Sequence, residues 1–67
     1  MEPFRFTPRD RLVRAWQNSM ELTRDFEGYS GELDDEELSK VFAEFAEEEA
    51  VHAAKLRELI RRYEQNE

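Results

Sequence analysis

Glu49 and His52 stand three residues apart in Glu48-Glu49-Ala50-Val51-His52-Ala53-Ala54. A carboxylate and an imidazole at that spacing lie on one side of a helix and can reach the same atom. Their oxygen and nitrogen donors suit iron, manganese or zinc better than soft copper(I). At ~100° per residue, Glu49 points close to the direction of Leu38, Phe42 and Leu56, and His52 close to that of Phe45 and Tyr63. Both are therefore expected to face a core. A buried carboxylate is costly unless it is paired or bound to a metal. Arg57, Arg61 and Arg62 lie more than a turn away, which leaves a divalent cation as the compensating charge. Glutamate is common in this segment, so the phase of the pair carries the reading more than the short Glu-x-x-His string. The alternative keeps Glu49 at a bundle edge and bonds His52 to a backbone carbonyl.

The elements that must hold this pair are legible from punctuation. Thr7-Pro8 reads as an N-cap followed by proline at the first helical position. No breaker follows until Gly28, which is expected to end helix 1 in a left-handed cap. The expected layout is one domain over 1–67, with helix 1 at about 8–27, a turn at about 28–34 and helix 2 at about 35–64. Asp34 is expected to cap helix 2, with Glu37 completing a capping box. Phe4 and Phe6 form a short arm expected to pack on the helices.

Two helices joined by a short turn should lie antiparallel. Helix 1 has an apolar stripe through Leu12, Trp16, Met20 and Phe26. The stripe on helix 2 is wider, running through Leu38, Val41, Phe42, Phe45, Ala46, Ala53, Leu56, Leu59, Ile60 and Tyr63. One hairpin cannot bury it all. A chain of 67 residues is also short for an independent core. The expectation is an all-α hairpin that oligomerises with copies of itself, as a dimer or a larger assembly such as a ring, into a four-helix bundle.

Composition narrows the chemistry. The chain has no cysteine, 17 acidic residues against 10 basic, and a formal net charge of -7. Thiolate sites and disulfides are excluded. The acidic balance argues against a nucleic-acid partner and suits a surface that attracts cations. No apolar run approaches membrane-spanning length and the N-terminus lacks a signal-peptide core, so a cytoplasmic location is expected.

Helix 1 must supply any further carboxylate. Glu27 lies on its apolar stripe but near the turn. Glu21 lies at a better level, yet its phase turns it away from Leu12 and Trp16, so it would face a second hairpin. Glu48 is either an outer ligand at the stripe edge or a solvated residue.

Asp35-Glu36-Glu37-Leu38, together with Glu48-Glu49-Ala50-Val51-His52-Ala53-Ala54, resembles the second helix of two-helix members of the ferritin-like superfamily, the encapsulated ferritins and half-ferritins. Rubrerythrins carry a similar pattern twice in one chain. Met20-Glu21-Leu22 resembles the first-helix segment that holds the family's glutamate ligand. The resemblance covers about residues 12–60. It implies a di-iron site at a subunit interface, with Glu21, Glu49 and His52 as ligands from two chains and Glu49 bridging. Manganese or zinc could substitute for iron. Two departures stand out. Gly28 occupies the position, seven residues after Glu21, where the family often has tyrosine, and Tyr29 follows it. The chain also ends soon after helix 2, without the extension that addresses encapsulated ferritins to a shell, so a shell protein as partner and a place inside a nanocompartment rest on the resemblance alone.

The functional expectation is oxidation of Fe(II) to Fe(III) by O₂, for iron storage or detoxification. The alternatives are a metal-free hairpin that serves as a dimerisation or interaction module, and peroxide reduction of the rubrerythrin type.

Overall fold

The computed structural model describes residues 6–65. Two helices, α1 (Pro8–Glu32) and α2 (Glu36–Gln65), form an antiparallel hairpin without strands among the described residues. The start of α1 follows its capping chemistry. Thr7 Oγ1 accepts from the Asp10 N–H at 3.0 Å, and the Asp10 carboxylate accepts from the Thr7 N–H at 3.1 Å. Pro8 has no N–H to satisfy, so two of the three N–H groups that this helix start leaves unpaired are thereby paired.

Gly28 does not end α1. The helix continues through Tyr29, Ser30, Gly31 and Glu32, and no glycine has positive φ among the described residues. Contacts with α2 hold this extra turn. The Tyr29 and Phe42 rings meet edge to face at 5.3 Å. Ser30 Oγ donates to the Ser39 carbonyl at 2.8 Å, and Ser39 Oγ donates to the Ser30 carbonyl at 2.7 Å. These contacts outweigh the local preference of glycine for a helix end, which is worth only about 1 kcal/mol. Both glycines are exposed, and a Cβ added at either meets nothing within 4 Å. Gly28→Ala and Gly31→Ala should therefore each raise unfolding stability by about 0.5–1 kcal/mol, read from urea denaturation midpoints.

The start of α2 also sits one residue later than its sequence implies. Asp35, not Asp34, is the cap: its Oδ1 accepts from the Leu38 N–H at 3.1 Å, and its carbonyl accepts from the Ser39 N–H at 2.9 Å. Glu37 takes no part in this cap. Asp35→Ala should cost about 1 kcal/mol in thermal unfolding, whereas Asp34→Ala should stay within about 0.5 kcal/mol of the parent.

Along the contact, small side chains let the helices approach. Ser19 on α1 is buried, as are Ala46, Ala53 and Ile60 on α2, and these three form the buried apolar core among the described residues. Near the turn Phe26, Tyr29, Phe42 and Phe45 form an aromatic cluster with ring centroids 5.3–6.0 Å apart. At the open end Arg9 pairs with Glu64 at 2.9 Å, and the Arg57 guanidinium lies 5.3 Å from the Trp16 ring centre. Phe6 is 61% exposed and so lies off the helices, while Phe4 falls outside the described residues.

The hairpin is a plate, 52 × 29 × 11 Å between Cα atoms, with a radius of gyration of 15.7 Å. A compact globule of this length would have a radius near ~11 Å. Much of the wide stripe on α2 consequently stays open: Leu38, Phe45 and Tyr63 are 47%, 42% and 44% exposed.

Candidate metal centre

Glu49 and His52 lie near the middle of α2, in unbroken helix. The i,i+3 spacing brings Glu49 Oε2 within 3.5 Å of His52 Nδ1. The two are not equally sheltered. The Glu49 side chain is 19% exposed and that of His52 is 67% exposed. Glu49 thus lies half-buried at the edge of the helix contact, between the core-facing and the bundle-edge positions its phase allowed. His52 does not face the core of this hairpin. One further step of helical phase carries it past the reach of α1, onto the open part of the stripe beside Phe45. Both side chains remain on one side of α2, free to converge on an atom above it.

The remaining candidates are separated from this pair. Glu21 is exposed on the outer side of α1, in a shallow depression with Arg14, Gln17 and Arg24. Glu27 and Glu48 are also exposed. No group of three or more His, Asp or Glu side chains converges on a common point among the described residues. One hairpin therefore presents a pair of donors, with Glu21 displaced from them. Glu21 is near the level of Glu49, but it is Leu22, one residue on, whose phase follows Phe26 onto the open side. It lies one turn before Phe26, just as Glu49 lies one turn after Phe45, and Phe26 and Phe45 are in ring contact at 5.6 Å.

The structure adds a residue whose role the spacing did not reveal. Arg57 lies over the Trp16 ring, about two turns of α2 beyond Glu49. Knowing which levels of the two helices meet would have exposed this, because Trp16 and Arg57 come together only once the hairpin closes. Farther along α2, the Glu58 carboxyl is held below its ordinary pKa by the hydrogen bond from Lys55 at 3.1 Å, then by the charges of Lys55 and Arg62. That group is fully exposed and belongs to the surface.

The fold and the pair together define a class: an all-α hairpin whose second helix carries a carboxylate and an imidazole on one side, as helical metal bundles do. The family follows from comparison. A family model described as Rubrerythrin matches residues 11–67, and the chain belongs to that family, within the ferritin-like superfamily. Members of the family typically bind iron, and they are often iron-dependent oxidoreductases. No curated protein and no solved structure gives a significant match. No helix among the described residues is long and apolar enough to cross a membrane.

Proposed function

We propose that this protein is a ferroxidase: two copies of the chain bind Fe(II) as substrate between them and pass its electrons to O₂. The observation that carries this reading is the Glu49–His52 pair, side by side on the open apolar side of α2 in a member of the rubrerythrin family. An acid and an imidazole on an otherwise oily surface are costly to cover with a partner unless a cation is covered with them.

The residues fit such an ion in part. One chain supplies one carboxylate and one imidazole, and two chains supply two of each. Glu21 would add a carboxylate only from a further copy, given its place on the outer side of α1. Carboxylates favour the higher iron charge because hard oxygen donors suit it. Glu49 would hold its geometry through contact with α1, while the more exposed His52 would admit ions from solvent. The many acidic residues would raise the local concentration of Fe(II). Each Fe(II) gives one electron. One O₂ takes two electrons and two protons to leave as hydrogen peroxide.

A metal-free pairing module is the rival, and the scattered position of Glu21 favours it. Adding Fe(II) aerobically to the purified protein separates the two. Growth of Fe(III) absorbance well above the buffer rate supports the ferroxidase. A rate equal to buffer, in protein shown to be helical and associated, overturns it. Feeding peroxide in place of O₂ tests the related activity of peroxide reduction.

A further inference from the structure

The hairpin has a second side, opposite the Glu49–His52 pair, and it is built differently. On it α1 presents Trp16, Met20 and Thr23, and α2 presents Ala50, Ala54, Arg57 and Arg61. Between the two helices they line an open groove of ≈ 640 Å³, within the ~300–1,000 Å³ of small-ligand sites. The groove exists because of what α2 contributes. On the side of the pair, α2 carries Phe42, Phe45 and Leu56. Here it carries alanine at 50 and 54, with buried Ala53 as the floor. No large side chain therefore fills the space beside the Trp16 ring and Met20, which is 38% exposed.

One end of this groove is cationic. Arg57 and Arg61 stand one turn apart on the same side of α2, and the Arg57 guanidinium lies 5.3 Å from the Trp16 ring centre. Neither arginine forms an ion pair among the described residues. The neighbouring acids of α2 are engaged elsewhere, Glu58 with Lys55 and Arg62, and Glu64 with Arg9. In a chain of 17 acidic and 10 basic residues, two adjacent arginines without a carboxylate leave positive charge for an anion from outside. The other end has the opposite sign. Glu27 follows Thr23 by one turn of α1, Glu47 precedes Ala50 by one turn of α2, and both are exposed.

Apolar walls with cations at one end and acids at the other select an anionic head with an apolar tail, lying in one direction. Arg57 and Ala50 are separated by ~10 Å along α2. With C–C bonds of ~1.5 Å, an extended chain of about eight carbons covers that distance. We propose that this groove binds a medium-chain fatty carboxylate, its head on Arg57 and Arg61 and its tail running past Trp16 and Met20 toward the turn. A carboxylate suits guanidinium donors, which can bond both of its oxygens. The indole already positions Arg57, so less ordering is needed when the head arrives. An extended acidic peptide would meet the same arginines. Beyond them, however, its backbone would find only the Trp16 N–H and the Thr23 hydroxyl, and that hydroxyl already donates to the Ser19 carbonyl at 2.8 Å.

The groove and the proposed iron site lie on opposite sides of the plate, so each stands or falls without the other. Trp16 is the sole tryptophan, and its fluorescence reports on the groove directly. Titrating metal-free protein in chelator with octanoate or decanoate should give a saturable change at one ligand per chain. A fully buried methylene tightens binding roughly fourfold and a half-buried one about twofold, so decanoate should bind about fourfold tighter than octanoate. Arg61→Ala should weaken decanoate binding about 10-fold or more, as loss of a hydrogen bond to a charged group does. Ala54→Phe, which fills the trough from an exposed position, should abolish it, with circular dichroism confirming that both variants stay helical. Decyltrimethylammonium, with the same tail and the opposite charge, should leave the spectrum unchanged. The proposal is overturned by the absence of saturable change with decanoate, by parent-like binding in either variant, or by equal binding of the cationic amphiphile. Association of the chain that Ala54→Phe abolishes and decanoate leaves intact would also overturn it, because the groove would then seat another chain.

Discussion

His52→Ala should reduce aerobic Fe(II) oxidation by about 100-fold or more while leaving the helix content unchanged. Residues that merely orient a ligand change metal affinity about 10–100-fold when replaced, and His52 is proposed as a ligand itself. Its side chain is 67% exposed, so truncation removes no packing within the hairpin, and sedimentation checks that association is kept. Glu49→Gln should match it, because the amide keeps the shape of the carboxylate and loses its charge. The double variant should be hardly worse than either single one, since residues that act as a unit are not additive. The measurement is the initial rate of Fe(III) absorbance, with circular dichroism as the check on folding. A His52→Ala protein that oxidises iron at the parent rate would remove the imidazole from the site. Glu49→Leu separates the rival readings further: a metal-free module predicts a firmer fold and intact partner binding, whereas the ferroxidase predicts lost oxidation whatever the fold gains.

The second large effect concerns stability. Phe42 touches Phe26, Tyr29 and Phe45, with centroids 5.9, 5.3 and 6.0 Å away. It ties the last turn of α1 to the first turns of α2. Phe→Ala in a full core costs about 3–5 kcal/mol, and Phe42 is half-buried, so the expected loss is about 2–3 kcal/mol. A domain of this size holds only ~3–5 kcal/mol in its core. Phe42→Ala should thus lower Tm by roughly 10–20 °C and leave the hairpin close to unfolding at ordinary temperatures. Phe42→Leu, which keeps most of the volume, should recover the greater part of the loss. A fall in Tm below about 4 °C, the equivalent of 1 kcal/mol or less, would show that the aromatic cluster contributes little.

Where the sequence guided well, the cause was local. Thr7 and Pro8 open α1 as their types imply, and the structure adds Asp10, three residues after Thr7, as the second half of a capping box. The two helices followed from their apolar periodicity, and their antiparallel packing from the short turn between them. Gly28 misled because glycine marks a helix end only when nothing outside the helix argues otherwise. Here Tyr29 and Ser30 grip α2 and draw the helix onward. Asp34 and Asp35 are chemically equivalent caps, and choosing between them requires the geometry of the turn.

The site divides in the same way. Glu49 and His52 meet because a helix brings i and i+3 together, which any sequence reading can use. That His52 would lie in the open needed the width of α1, since a single facing helix covers only part of the stripe. Glu21 belongs to a third kind of problem. Its outward phase was evident from its neighbours, but whether it meets another copy depends on surfaces that one hairpin does not complete.

A plate 11 Å deep encloses little beyond the narrow seam of Ser19, Ala46, Ala53 and Ile60. Water reaches both of its faces, so the field between Glu49 and His52 is that of a wet surface, where charges act weakly. A low-dielectric setting for this pair can come only from a neighbour laid over it. Dilution would then weaken cation affinity along with association, and a crowded store of the protein would hold its ions more firmly than isolated chains do.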